Sequence, residues 1–370
     1  MQINFRFFQK PHYKILVVGY LIILLSCINL SQINPNKIIS IYTLKQFFWL
    51  SLSILFTFVI FRFRLRSIKD ISLILYLFSI ILLIFVLVFG REISGAKSWI
   101  KFWGLSFQPT ELVKISYIFL TAKIYSELGS YSKSLLIKYF IGLSLFLIPF
   151  ILILLQPDFG SAFILFLISM TVVISFSFNK KFLLSLLLIG IFLAIPIWNN
   201  YLEPYQKQRI INFIKPENDP RGFGYNAIQS KISVGSGGIF GKGIGNSSQA
   251  KLGFLPENHT DFAFSVWAEQ TGLFGSLILI LLYFFLIIYP LTFISRINDL
   301  FLKVIIFGLS SYFFLHFIIN LFMTVGLFPI IGIPMILFSY GGSSLICASF
   351  AFSIQALIIS AFRDVNRLGV

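Results

Sequence analysis

Long apolar runs recur along the chain and constrain its fold more than any other feature. A run of about 20 apolar residues, folded as an α-helix, spans the hydrocarbon core of a bilayer. Membrane β-strands need about half that length and alternate apolar with polar residues, so only helices fit these runs. We predict an all-α integral membrane protein with ten transmembrane helices and one large external loop. The predicted spans are residues 15–33, 44–61, 71–89, 109–126, 136–156, 159–178, 182–199, 263–290, 302–325 and 336–361.

The composition excludes the main soluble classes of protein. Of the 370 residues, 58% are hydrophobic and 11% are charged, which leaves too few polar side chains to cover a water-facing surface. Intrinsic disorder is excluded because the chain has abundant apolar surface to bury. Cys27 and Cys347 both lie inside apolar runs, so a disulfide scaffold is excluded as well.

The basic residues predict the topology. With both termini in the cytoplasm, 16 Lys and Arg residues fall in cytoplasmic segments and 12 on the external side, seven of the latter in the one long loop, where the positive-inside rule has little force. The first apolar run follows Arg6, Lys10 and Lys14 but lacks a small-x-small cleavage site, so we interpret it as an uncleaved span. Because the basic residues are scattered over many loops, no nucleic-acid partner is expected.

The chain is predicted to form a single membrane domain, residues 1–370, whose one substantial aqueous segment is the external loop at about residues 200–262. A function on external or lipid-linked substrate is expected there. Lys242 is its candidate anion-binding residue. The glycine-rich run at residues 235–243 is not a Walker A motif, since Gly243 follows Lys242 where Ser or Thr is required. Its amides and Lys242 can bind a pyrophosphate, or its glycines can simply form tight turns.

Asp261 is the candidate catalytic residue, because it stands where the external loop re-enters the membrane and His259 lies beside it. A partly desolvated carboxylate at this boundary can act as a general base on a lipid-anchored substrate. An ordinary helix N-cap at Thr260 or Asp261 is the alternative. The residues alone leave both interpretations open.

Glu111 and Lys114 open the fourth span at i, i+3 spacing, so their side chains can meet on one helix face. Charges in a span usually face a polar cavity and carry function, and an interfacial ion pair is the structural alternative. Asp158, between the fifth and sixth spans, is predicted to cap a helix N-terminus.

Two further segments mark the centre of the helix bundle. His316 and Asn320 share one helix face at i, i+4 spacing and are predicted to join spans by hydrogen bonds, because a metal site needs more ligands. Glycines and prolines at residues 326–334 break the helix before the last span, and irregular backbone at membrane depth is buried in protein or lines a cavity. The predicted structural or cavity residues are Asp158, Asn320, Ser339, Tyr340, Gly341 and Gly342.

Taken together and in order, several motifs resemble the RodA/FtsW family of peptidoglycan polymerases. No single motif is specific, but the ordered set extends over most of the chain. The motifs are Ser94-Gly95-Ala96 through Glu111-x-x-Lys114, Gln156-Pro157-Asp158-Phe159-Gly160, residues 205–209, 229–238 and 255–262, Glu269-x-x-Gly272, and residues 332–344.

The resemblance implies a glycosyltransferase that polymerises lipid II, the undecaprenyl-pyrophosphate-linked disaccharide peptide, at the outer face of the bacterial cytoplasmic (inner) membrane. It implies a class B penicillin-binding protein as transpeptidase partner, together with other proteins of the elongation complex. The catalytic acid of the family falls on Asp261. The predicted substrate-binding residues are Glu111, Lys114, Arg209, Lys231, Lys242 and His259. No cofactor or metal ligand is assigned, and a divalent cation is left open.

Residues 229–238 are similar to the elongation (RodA) branch of the family, whereas residues 243–247 are similar to the division (FtsW) branch. A flippase of the same lipid-linked precursor and a non-catalytic scaffold for wall enzymes are the competing functional interpretations. One departure from the family concerns substrate binding: Ser98 precedes Trp99 where the family commonly has Arg, and Lys97 or Lys101 is the candidate replacement charge.

Overall fold

A computed structural model describes residues 11–31, 40–93, 95–102, 105–131, 135–176, 204–215 and 223–367. Among the described residues, six long helices precede the long loop and three follow it. The first six are α1 (Pro11–Ser31), α2 (Ile41–Ile60), α3 (Leu65–Phe89), α4 (Pro109–Tyr131), α5 (Leu135–Leu154) and α6 (Phe159–Phe176). The last three are α10 (Ala263–Leu291), α11 (Leu300–Val325) and α12 (Gly342–Arg367), with a short 3-10 helix at Ile294–Arg296.

The described helices confirm the all-α membrane fold. By length and composition, α1, α2, α3, α10, α11 and α12 can each cross a membrane, and shorter apolar segments occupy Phe140–Leu154 and Phe159–Val173. Nine predicted spans coincide with described helices. The tenth, residues 182–199, lies outside the described residues.

α11 and α12 form the centre of the bundle. α11 packs against α4, α6 and α10, while α12 packs against α1 and α2. α3 lies further out: it buries Ser72, Tyr76 and Ser79 and exposes apolar side chains such as Ile74 and Ile81. Such an all-apolar outer face is expected where lipid replaces water.

The last helix begins later than predicted, at Gly342 instead of residue 336. Residues 336–341 are irregular because the external segment takes up their polar groups. The Tyr340 amide donates to the His259 carbonyl at 2.8 Å, and Leu337 has a positive φ of 72°, which a helix cannot contain.

Two external structures were not predicted from the sequence. A small antiparallel sheet of order β1-β2-β3 connects α3 to α4, formed by Arg91–Ile93, Ala96–Phe102 and Leu105–Phe107. The long loop contains helices α7 (Pro204–Ile214), α8 (Phe223–Ser236) and α9 (Ser248–Lys251). α8 packs against α10 and α11, so this part of the loop lies against the bundle core.

Candidate active site

Asp261 lies immediately before α10, with a side chain that is only partly exposed. The N-cap residue of α10 is Phe262, and no side-chain hydrogen bond caps this helix. Within the described ranges, no donor lies in hydrogen-bonding reach of the Asp261 carboxylate. The capping interpretation therefore has no support in the geometry, and the carboxylate is available to a substrate.

Three predicted residues hold the backbone around Asp261. Asn320 on α11 donates its side-chain amide to the Asp261 carbonyl at 2.8 Å. The Ser339 hydroxyl donates to the Thr260 carbonyl at 2.6 Å, and the Tyr340 amide binds the His259 carbonyl. The irregular segment before α12 thus supports the segment that carries Asp261. These bonds satisfy backbone groups that would otherwise be buried without a partner, which explains why residues 336–341 need not be helical.

The surroundings of Asp261 tune its basicity. The pKa of its carboxyl is raised to about 7, chiefly by burial and also by the negative charge of Glu257, against the opposing effect of the positive charge of Arg209. An acid with a pKa near the ambient pH is well suited to general base catalysis. Burial also lowers the pKa of His259, against the opposing effect of Glu257, so its imidazole is neutral at pH 7.

A shallow groove, open to solvent, lies between the long loop and the end of α11. Arg209 on α7 and Lys231 on α8 supply its positive charge, and Asn212 adds a polar group. Lys231 extends over Gly326, the left-handed residue that ends α11, where any side chain would collide with it. The groove thus brings two of the predicted substrate-binding residues together, and two positive side chains side by side suit an anionic group.

The predicted pair of Glu111 and Lys114 forms inside the bundle. Lys114 Nζ lies 2.8 Å from Glu111 Oε1, and both side chains are almost fully buried. Tyr312 donates to the second Glu111 oxygen at 3.0 Å, and His316 Nε2 lies 3.2 Å from Lys114 Nζ. Both partners belong to α11, which also carries Asn320. One helix therefore contacts the buried charges and the backbone of Asp261.

Lys242 is placed differently from the other predicted cations. Its Nζ lies 2.6 Å from Oε1 of Glu269 on α10, and it also donates to the Ser248 hydroxyl. The glycine-rich run docks on a kink of α10 at Gly272, where the backbone is non-helical. Leu273 and Phe274 donate their amides to the carbonyls of Gly238 and Ile239.

This docking explains the glycines of the run. Gly241 has a φ of 78° and Gly272 a φ of 66°, and a Cβ at either position would collide with the backbone of the other segment. Close approach and left-handed backbone, which only glycine tolerates readily, are thus both required. The geometry favours the tight-turn interpretation of this run.

The remaining predicted positions have local roles. Asp158 Oδ1 accepts from the Ser161 amide at 3.0 Å, which caps α6, and Oδ2 accepts from Gln108 at 2.9 Å. Gly342 faces the ring of Trp49, which a Cβ would meet, and a Cβ on Gly341 would meet the Ser344 hydroxyl. Ser98 is buried, while Lys97 Nζ donates to the Val88 carbonyl at the end of α3.

Three residues near the site were not among the predicted site residues. Gly332 faces Asp261 Oδ2, Tyr42 stacks on His259, and Glu269 anchors the loop. Glu269 was noticeable as an acid within a span, whereas Tyr42 carries no signal in its own segment. Among the described residues, no group of three or more His, Cys, Asp and Glu side chains could hold a metal ion.

Comparison with known proteins identifies the family. The family model described as "Cell cycle protein" (FtsW, RodA, SpoVE) matches residues 6–363. The chain is 37% identical to "Peptidoglycan glycosyltransferase MrdB" of Escherichia coli K12 over 76% of this chain and 75% of that protein. It is 30% identical to "Peptidoglycan glycosyltransferase RodA" of Treponema pallidum over 90% and 92% of the two chains.

Solved structures show the same relationship. One similar structure is described as "Structural coordination of polymerization and crosslinking by a peptidoglycan synthase complex". Its matching chain has a TM-score of 0.80 and is 28% identical, and the match covers 95% of this chain and 97% of that one. The rod shape determining protein RodA of Thermus thermophilus has a TM-score of 0.69 and 26% identity, with coverage of 95% and 96%. From its sequence, its fold and the placement of its site, this chain belongs to the FtsW/RodA/SpoVE family.

Proposed function

We propose that the chain is a peptidoglycan glycosyltransferase that joins lipid II units into glycan strands, with Asp261 as the general base. The observation that carries this proposal is the partly desolvated Asp261 carboxylate just before α10, which accepts no hydrogen bond from the described residues and has a pKa of about 7. The relatives named as peptidoglycan glycosyltransferases support the reaction class.

In the proposed step, Asp261 removes the proton from the 4-hydroxyl of the acceptor sugar. The hydroxyl oxygen attacks the anomeric carbon of the donor and forms the glycosidic bond. The bond between that carbon and the donor's pyrophosphate oxygen breaks, and the lipid pyrophosphate leaves with the electron pair. Each addition therefore transfers one proton to the enzyme and releases one lipid pyrophosphate.

The groove with Arg209 and Lys231 is the proposed site of the leaving pyrophosphate. Positive side chains stabilise the negative charge that develops on the departing oxygen. The effect of Arg209 on the pKa of Asp261 indicates that the two side chains interact electrostatically. A groove at this position lets the base and the leaving group act on the same anomeric centre.

The reaction is proposed to take place at the outer face of the bacterial cytoplasmic membrane, with both termini in the cytoplasm, as the distribution of Lys and Arg predicts. More of the compared relatives carry elongation names (MrdB, RodA) than division names, which supports a role in cell elongation. Neither a flippase nor a scaffold requires an unpaired external carboxylate.

A class B penicillin-binding protein is the proposed partner, because the described part of the chain offers no separate domain for crosslinking peptides. The similar structure from a synthase complex that coordinates polymerisation with crosslinking supports such a partner. Co-purification in mild detergent should recover a single-span transpeptidase. Consistent failure to recover one would contradict this part of the proposal.

The central test is polymerisation of purified lipid II by the purified chain, with and without its partner. Asp261→Asn removes the basicity and nearly preserves the shape, so it should give a folded protein that binds the partner and makes no strands. Asp299→Asn is the matched control, since Asp299 caps α11 and Asn caps equally well. Substantial polymerisation by Asp261→Asn would overturn Asp261 as the general base, whereas no polymerisation by the unmutated chain would revive the flippase and scaffold interpretations.

A further inference from the structure

Three partly exposed aromatic rings form a cluster beside the catalytic segment. Tyr42, at the start of α2, stacks on His259 with ring centroids 4.3 Å apart and an interplanar angle of 23°. Tyr340 stands edge-on to Tyr42 at 5.0 Å. The backbone bond from the Tyr340 amide to the His259 carbonyl fixes the cluster two residues before Asp261.

The polar atoms of these rings have no hydrogen-bond partner among the described residues. Within the parts of the chain that the structure describes, the hydroxyls of Tyr42 and Tyr340 and the ring nitrogens of His259 make no hydrogen bond. A structural aromatic cluster usually satisfies such groups when it is partly buried. Since none of these atoms is among the buried atoms without a partner, water or a ligand can reach them.

The negative charge near the cluster makes it an unfavourable place for the phosphate part of a substrate. The charge that acts on His259 is the carboxylate of Glu257, which repels an anion. The cations Arg209 and Lys231 line the separate groove. A neutral ligand with hydroxyl or amide groups and one apolar face is complementary to the cluster, and a pyranose ring has these properties.

We propose that Tyr42, His259 and Tyr340 form a sugar-binding platform that holds the acceptor N-acetylated sugar with its hydroxyl facing Asp261. This inference rests on the proposed function and adds the acceptor subsite to it. The platform and the Arg209–Lys231 groove then lie at two places around Asp261, one for the attacking sugar and one for the leaving pyrophosphate.

The binding test separates this inference from the chemistry. The full-length chain carrying Asp261→Asn, in lipid nanodiscs, is titrated with the soluble disaccharide of N-acetylglucosamine and N-acetylmuramic acid, and binding is followed by saturation-transfer difference NMR. Adding Tyr42→Ala should weaken binding about tenfold, the size expected for one lost stacking contact. Tyr42→Trp should retain it. Phe47→Ala, on the same helix and exposed, is the matched control and should bind as the parent does.

The catalytic test uses the active chain. Tyr42→Ala should raise KM for lipid II with a smaller change in kcat, and Tyr42→Trp should restore KM. Equal disaccharide binding by Tyr42→Ala and its parent, binding of the stem pentapeptide alone, or a loss that Trp does not rescue would each overturn the platform. Polymerisation by Asp261→Asn would instead overturn the proposed function, so the two failures are distinguishable.

Discussion

Asn320 donates its side-chain amide to the main-chain carbonyl of Asp261 at 2.8 Å, and the same nitrogen donates to the Ile333 carbonyl at 2.7 Å. One side chain in the bundle core thus holds two segments from distant parts of the sequence. The first carries Asp261, the proposed general base, and the second carries Gly332, which faces its carboxylate. Neither segment is regular secondary structure at this point, so the amide replaces the bonds that a helix would supply.

Asn320→Ala should lower kcat strongly while KM for lipid II changes little. Two carbonyls lose their donor, and a small displacement of a catalytic group can cost about 100-fold in rate. Gln355→Ala is the control, because Gln355 is also a buried amide and donates to Ser310 at 3.0 Å. It should lower the melting temperature comparably and keep kcat. Equal kcat losses in the two variants would reduce Asn320 to a purely structural role.

The pH profile should report the environment of Asp261. Because the active form is the ionised carboxylate and its pKa is about 7, kcat/KM of the free enzyme should rise with pH across neutrality. Glu257 raises this pKa, so Glu257→Gln should move the acid limb to lower pH. Arg209 lowers it, so Arg209→Gln should move the limb to higher pH, apart from any loss in overall rate.

The profile is measured from initial rates of lipid II polymerisation, and Asp299→Asn should leave the limb in place. A limb that stays unchanged in Glu257→Gln would show that another group titrates. A limb that moves to higher pH in that variant would contradict the assigned sign.

Removing one member of the Glu111 and Lys114 pair should cost more stability than removing both charges. Lys114→Met leaves the Glu111 carboxylate buried with only Tyr312 and the nearby His316 beside it. Breaking a buried pair costs about 3–5 kcal/mol, whereas neutralising both partners is often much less costly. The double variant Glu111→Gln with Lys114→Met should therefore unfold at a higher temperature than Lys114→Met alone.

Polymerase activity distinguishes a functional role of the pair from a structural one. We expect the stable double variant to lack polymerase activity, because charged residues inside a span usually carry function. Thermal unfolding in nanodiscs and strand synthesis are measured on the same preparations. Wild-type activity in both Glu111→Gln and Lys114→Met would show that the pair has only a structural role, which is to connect α4 with α11.

The sequence predicts the parts of this molecule that depend on local pattern. The apolar runs predicted the ends of nine described helices to within six residues. Asp261, just before α10, was singled out because the sequence predicts a membrane boundary there. The start of α12 was misplaced because residues 336–341 are apolar enough for a span, although Ser339 and Tyr340 bind the external segment. Neither this binding nor the stacking of Tyr42 on His259 has a local signal, since the partners are separated by long stretches of chain.

Glu269 fastens the external loop to the bundle. Its fully buried carboxylate accepts hydrogen bonds from Lys242, Ser247 and Ser248 of the loop and from Ser233 of α8. α8 also carries Lys231 of the proposed pyrophosphate groove. The carboxylate therefore connects the glycine-rich run and the groove to the kink of α10.

Glu269→Ala should release this loop, because four side chains and the amides of Ser248 and Gln249 lose their acceptor, and the loss of a buried charged partner costs about 3–5 kcal/mol. Hydrogen exchange should rise at residues 242–252 and in α8, and KM for lipid II should rise with it as Lys231 loses its position. Lys242→Ala should have a smaller effect, since the Lys242 side chain is 33% exposed and the serine donors remain. Equal exchange in the two variants, or faster exchange without a change in KM, would show that the loop's anchorage is independent of the groove.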